Sequence, residues 1–234
     1  MRGKLVTVIR ARCGLALLSA VMAACTAEQG NERQQSGASN AAMFSEGDAY
    51  ERFMGRWSRQ LSPVFLEFVE LEGGASVLDV GSGTGALTAA VLSASEPSRV
   101  IGIDPSAVFV NHARSRTTDG RATFEEGDGQ QLRFADDSFD ATVSLLVINF
   151  IPDPRRALRE MIRVTRRGGI VAAAVWDYDE GMEMLRVFWD EAVALDPSSA
   201  ARDERHMPFS RAGELAALWR ELGLVDVREA PLVI

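Results

Sequence analysis

Apolar and polar positions switch repeatedly between a strand-like and a helix-like pattern. Val77, Leu78 and Val80 form a short apolar run of strand type, followed by a helical pattern over about 84–94. The switch recurs along the chain. Arg99 to Ile103 reads as a strand, and a helix over about 106–116 starts at the turn Pro105-Ser106. A short strand is expected at 121–125. The continuous apolar run Ala141 to Ile148 reads as a strand buried on both faces. Asp153-Pro154 caps a helix over 153–166, which Arg166-Arg167 and Gly168-Gly169 end. A strand from Ile170 to Trp176, helices over about 180–194 and from Ser210 to Leu222, and a strand from Val225 to Ile234 complete the pattern. Upstream, Tyr50, Phe53, Met54 and Trp57 recur at helical spacing behind Ser45 and Asp48. A second helix is expected after Pro63, with Phe65, Phe68 and Val69 apolar and Gly73-Gly74 at its end.

Strands alternating with helices predict an α/β fold. It is a doubly wound, mostly parallel sheet with helices on both faces. Ligands of such sheets sit at the carboxyl ends of the strands. The loops expected there hold Gly81–Gly85, Asp104, Asp128–Gln131, Asn149 and Asp177–Tyr178.

A length of 234 residues suits one folded domain, residues 45–234, with appendages. Residues 26–44 lack the apolar content to fold and read as a disordered linker. Residues 1–25 are signal-peptide-like. A basic stretch precedes twelve mostly apolar residues, Cys13 to Ala24, too few to span a bilayer. Val21-Met-Ala-Ala-Cys25 is similar to a lipoprotein cleavage box, and the other reading is a true start near Met43.

Net charge is −8; the first 25 residues hold Arg2, Lys4, Arg10 and Arg12 and no acid, which leaves −12 on the rest. An acidic body argues against a nucleic-acid partner. Both cysteines, Cys13 and Cys25, lie in the N-terminal segment, so the body offers no disulfide and no thiolate chemistry. His112 and His206 form no metal-ligand spacing, and no metal is expected.

The glycine loop carries the chemistry. Gly81, Gly83 and Gly85 let a ligand approach the backbone, and the following helix aims its N–H groups at that ligand. Gly81-x-Gly83-x-x-Ala86 also satisfies the dinucleotide fingerprint, with Asp104 near the distance expected for a ribose carboxylate. An NAD(P)-binding oxidoreductase is therefore one reading. Three details favour another. Asp79 precedes the glycines, where it repels a pyrophosphate and attracts an ammonium group. The glycines run Gly-x-Gly-x-Gly. Asp128, in Gly127-Asp128-Gly129-Gln130, supplies a further carboxylate able to accept from an adenine amine.

On Leu78-Asp-Val-Gly-Ser-Gly-Thr-Gly85, Gly102-Ile-Asp104-Pro-Ser106, Gly127-Asp128-Gly-Gln-Gln-Leu132, Phe139-Asp140 and Gly168-Gly169, the chain resembles the class I S-adenosylmethionine-dependent methyltransferases. It is most similar to the small-molecule branch that includes ubiquinone and menaquinone C-methyltransferases. The resemblance covers about residues 45–180. It implies that Asp79 with Gly81, Ser82, Gly83 and Gly85 holds the methionine part of S-adenosylmethionine. Asp104, beside Pro105, holds the ribose, and Asp128 with Gly129 and Gln130 holds the adenine. Tyr50, Arg56 and Trp57 lie where some relatives carry a lid helix, and Arg56 is placed to pair the methionine carboxylate. Each residue has a plainer reading too. Asp79 and Asp104 can cap helices, Asp128 can close a turn, Tyr50 and Trp57 can pack the core, and Arg56 can be a solvated charge.

The expected activity is methyl transfer to a small-molecule acceptor. No Ser/His/Asp set is visible; Asn149, Asp177 and Tyr178, at strand ends, are the nearest catalytic candidates. Residues 180–210, with Met184, Phe188 and Trp189, are expected to shape the acceptor site or simply to pack. Relatives close the sheet with a seventh, antiparallel strand, and the C-terminal residues here supply none. Either an open slot beside the fifth strand or a shifted sixth strand is therefore expected. The donor is made in the cytoplasm, which favours a cytoplasmic enzyme. The alternative is an exported binding module, held at a membrane only through a lipidated Cys25.

Overall fold

A computed structural model of the chain describes residues 6–12, 50–178, 183–209 and 211–233. The strands are β1 (Val6–Arg12), β2 (Ser76–Val80), β3 (Arg99–Asp104), β4 (Ala122–Glu126), β5 (Phe139–Leu145), β6 (Thr165–Trp176) and β7 (Val227–Val233). The helices are α1 (Arg56–Val69), α2 (Ala86–Ala94), α3 (Ala107–Arg116), α4 (Pro154–Val164), α5 (Glu183–Leu195) and α6 (Glu214–Glu221). A π-helical turn, Glu51–Gly55, leads into α1.

The sheet order is β4-β3-β2-β5-β6-β1-β7, and every pairing among the described residues is parallel. Alternation along the central strands divides the core. Val77, Val143, Ala172, Ala174 and Trp176 pack with Leu61 and Phe65 of α1 and Val91 of α2. Leu78, Val80, Val171, Ala173 and Val175 face the other way, toward Leu158 and Met161 of α4 and Trp219 of α6. Connectivity reverses at β2 and β5, so the carboxyl ends of these two strands flank the crevice.

Several elements differ from the sequence reading. One helix, α1, replaces the two expected around Pro63, which lies inside it. Pro63 is exposed and the carbonyl it leaves unbonded belongs to exposed Arg59, where water can serve it. The cap expected at Ser45–Asp48 lies outside the described residues. The run Ala141 to Ile148 is not one strand. It stops at Leu145, because Leu146 adopts φ 63° and residues 148–150 form a short 3-10 turn. Gly168-Gly169 does not end a helix. It forms a bulge inside β6, where the register jumps from Phe139–Thr165 to Ala141–Ile170 and Gly168 has φ 75°. The last helix starts at Glu214 behind Gly213 rather than at Ser210. The slot beside β6 is neither open nor closed by β7. The N-terminal segment Val6–Arg12 occupies it, with Val6 opposite Val171 on one side and Val227 on the other.

Candidate active site

The site is built where β2 ends. Gly81 and Ser82 donate their N–H groups to the Ile103 carbonyl at 2.8 and 2.9 Å, folding the loop across the end of β3. Gly81 has φ 74°, and a Cβ there would lie 2.5 Å from Val147 Cγ1. Only glycine fits both the conformation and the space. Gly83 has φ 53° with nothing within 4 Å of a Cβ position, so that part of the loop presents bare backbone. Gly85 starts α2.

Asp79 lies beneath the loop, 1% exposed. Its Oδ2 accepts from Thr88 Oγ1 at 2.7 Å, while its Oδ1 is buried with no hydrogen-bond partner. Burial pushes the carboxyl up to about 7; the Thr88 hydroxyl opposes this, and the nearby Asp104 charge adds to it. Asp104 is buried at the end of β3. Its Oδ2 accepts from Gly83 N–H and its Oδ1 from Ser106 N–H, both at 2.9 Å. Burial raises its pKa against these two N–H groups. Asp104 thus braces the glycine loop, while Ser106 rather than Asp104 caps α3. Each Asp104 oxygen keeps a lone pair for a further donor.

A narrow cavity of about 20 Å³ lies beside Asp79 and the loop, lined by Tyr50, Ser58 of α1, Asp79, residues 81–84 and Leu145. Tyr50 stacks on Phe109 with centroids 4.9 Å apart. Its hydroxyl pKa is raised by burial, with a bond to Ser58 opposing. Ser82 Oγ is buried without a partner, as is the indole N–H of Trp57. Arg56 is not at this cavity. Its guanidinium lies 4.7 Å from the Trp57 ring, a cation–π stack.

The adenine-side residues are less engaged. Asp128 is exposed, and its Oδ1 accepts from Gln130 N–H at 2.8 Å within its own turn. Gln130 Oε1 accepts from Asp153 N–H at 3.0 Å, tying this loop to the start of α4. Gly129 abuts the end of β2, since a Cβ there would lie 3.0 Å from Val80 Cγ1. Pro105 is exposed beside Asp104. Asn149 is 4% exposed, and neither atom of its amide has a partner. Asp177 and Tyr178 are buried at the end of β6 and do not line the cavity.

Glu51, Ser58 and Thr84 were not singled out from the sequence. Glu51 accepts from Thr84 Oγ1 and from Arg59, which ties the π-helical turn to the glycine loop and to α1. The signal for it was an acid in an amphipathic helix aimed at a glycine loop. A larger recess of about 480 Å³ lies elsewhere, between α4 and α6, and the Arg155–Glu221 pair bridges two of its lining residues. None of the residues lining it carries a buried polar atom without a partner.

Residues 78–173 match the methyltransferase domain family. The chain is 35% identical over 117 residues to 2-methyl-6-phytyl-1,4-hydroquinone methyltransferase 2 of Oryza sativa subsp. japonica, across 50% of this chain and 34% of that protein. The match therefore spans about a third of that plant enzyme's length. It is 30% identical over 204 residues to an uncharacterised Mycobacterium tuberculosis protein, across 84% of this chain and 73% of that one. Among solved structures, a complex of the Haloferax volcanii Trm112 methyltransferase activator with a methyltransferase aligns at TM-score 0.60 and 26% identity, over 78% of this chain and 74% of that chain. A Methanococcus maripaludis protein of the same fold aligns at TM-score 0.55 and 18% identity, over 84% of this chain and 89% of that one.

Proposed function

We propose, for a chain that belongs to the class I S-adenosylmethionine-dependent methyltransferases, that it methylates a small-molecule acceptor in the crevice at the ends of β2 and β5. The single observation that carries the placement is Asp79 Oδ1, a buried carboxylate oxygen without a partner beneath the glycine loop. A lone buried acceptor costs about 1–3 kcal/mol, which a ligand's donor recovers. An ammonium group suits it; a pyrophosphate does not. That argues against the dinucleotide reading.

The residues fit the parts of the donor. Asp79 accepts from the amino group. The N–H groups of Gly81, Ser82 and Gly83 are already bonded within the protein, which leaves the start of α2 to face its carboxylate. Asp104 keeps lone pairs for the ribose hydroxyls, and the loop of Asp128, Gly129 and Gln130 borders the adenine. When bound, S-adenosylmethionine would supply an electrophilic methyl group on its sulfonium to an electron pair of the acceptor. The protein's contribution is alignment and exclusion of water, worth up to about 7–11 kcal/mol. Of the three strand-end candidates, Asn149 alone has an unpartnered amide donor and acceptor to offer a substrate hydroxyl. The name of the rice relative supports trying hydroquinones first.

A cavity of about 20 Å³ holds roughly one water, whereas ligand sites run to hundreds of Å³. Entry therefore requires the segment of Tyr50 and the π-helical turn Glu51–Gly55 to move away from the loop, breaking the Glu51–Thr84 contact. We place the enzyme in the cytoplasm, with its donor; an N-terminus lipidated at Cys25, found by sequencing the native protein, would contradict this. Transfer of a labelled methyl group from S-adenosylmethionine to a hydroquinone panel tests the activity. Label transferred to none of them rejects a hydroquinone acceptor.

A further inference from the structure

We propose that Asp79 couples donor binding to proton release: the free protein keeps its carboxyl protonated near neutral pH, and the ligand's ammonium group displaces that proton to water. This rests on the functional reading above and adds a regulation of the same site.

The geometry leaves Asp79 few ways to carry a charge. It is 1% exposed, with one hydroxyl donor on Oδ2 and none on Oδ1. A buried carboxylate so poorly bonded takes up a proton rather than bear the desolvation cost. The groups facing it from each packed element do not help. Helix α2 has no ionisable side chain, and the β5 residue at the cavity is Leu145. Strand β3 brings Asp104 close enough to act on Asp79, the segment before α1 brings Tyr50, and Glu51 is bonded to Thr84 of the loop. All three are acids. Among the described residues no arginine pairs with Asp79.

Asp79 and Asp104 divide the roles. Asp104 has both oxygens on backbone N–H groups, which favour its charged form. Asp79 has the Thr88 hydroxyl and a weaker backbone contact from the same residue, and its Oδ1 has no partner. One proton shared between them therefore resides on Asp79. The upward shift of Asp79 to about 7 agrees with this placement.

The exchange balances. The O–H bond of the Asp79 acid breaks, its proton goes to bulk water, and the ammonium N–H donates to the carboxylate left behind. One proton leaves per ligand bound below about pH 7, and none well above it. Apparent affinity then falls by up to tenfold per pH unit below about 7 and is flat above.

The test is calorimetric titration of the full chain with S-adenosylhomocysteine, which carries the same amino group, in buffers of different ionisation enthalpy at pH 6, 7 and 8. The expected result is release of close to one proton at pH 6, about half at pH 7 and almost none at pH 8, with Kd about tenfold weaker at pH 6 than at pH 8. Thr88→Val keeps the shape and removes the donor, so the midpoint should move to higher pH. Asp79→Asn should bind more weakly at pH 8 and lose the pH dependence. Binding without proton release and with constant affinity from pH 6 to 8 overturns the proposal and leaves the methyltransferase reading standing. A Thr88→Val midpoint that stays put or falls also overturns it. No binding at any pH overturns both.

Discussion

Replacing Gly81 by alanine puts a methyl group where Val147 already stands. The alanine Cβ would lie 2.5 Å from Val147 Cγ1 and 2.7 Å from Cγ2, and the residue would have to keep φ 74°. The conformation costs a non-glycine residue about 1–2 kcal/mol. Forcing a methyl into packed space costs about 1–3 kcal/mol more. The sum, about 2–5 kcal/mol, lowers Tm by roughly 4–20 °C for a domain of this size. Scanning calorimetry measures it. Trimming the obstacle separates the two parts: in the Gly81→Ala/Val147→Ala pair the steric part should vanish, leaving a coupling of about 1–3 kcal/mol in a double-mutant cycle. A Gly81→Ala protein that melts with the wild type, or a cycle that is strictly additive, refutes the close approach of the Val147 turn to the glycine loop.

Three more perturbations probe other links. Asp79→Asn should stabilise the free protein at pH 8 and hardly change it at pH 4. The folded carboxyl titrates at about 7 against 3.8 in the unfolded chain, so its ionisation erodes stability as pH rises between those values. The bound is on the order of 4 kcal/mol at 1.36 kcal/mol per unit, and thermal melts that shift equally at both pH values contradict it. Glu51→Gln weakens the π-helical turn's hold on Thr84 and Arg59, so stopped-flow association of S-adenosylhomocysteine should accelerate several-fold. An unchanged rate argues that this contact does not gate entry. Arg163 donates to the Leu132 and Phe134 carbonyls and to Glu160 and Asp136. Arg163→Met should cost about 1–3 kcal/mol in urea unfolding while leaving cofactor affinity alone.

The stretch from Val77 to Leu87 was legible because each step is local: apolar strand, glycines where φ is positive, then a helix. The placement of Asp79 and Asp104 followed from it, since a parallel sheet brings all strand ends to one edge. Other features are set by distant contacts. The end of β5 at Leu145 depends on a left-handed Leu146 inside an unbroken apolar run, and apolarity does not encode φ. Gly168-Gly169 carries the residue types of a helix stop, yet Thr165 pairs with Phe139 and draws the segment into β6. Pro63 reads as a break, yet Leu61, Phe65 and Val69 bury one continuous face that outweighs a lost hydrogen bond at the surface. Val6–Arg12 reads as the basic part of a targeting signal, and its pairing with β6 and β7 lies over 150 residues away in sequence. Arg56 and Glu51 share one helical stretch, and only packing decides that Glu51 meets the loop while Arg56 stacks on Trp57.

The central claim is that the β2 loop holds a sulfonium nucleoside and not a dinucleotide. Titrating the full chain with S-adenosylhomocysteine and, separately, with NAD at pH 8 tests it most directly. The expected result is saturable binding of S-adenosylhomocysteine that Asp79→Ala and Asp104→Ala each weaken at least tenfold, and no binding of NAD. NAD binding without S-adenosylhomocysteine binding would contradict it.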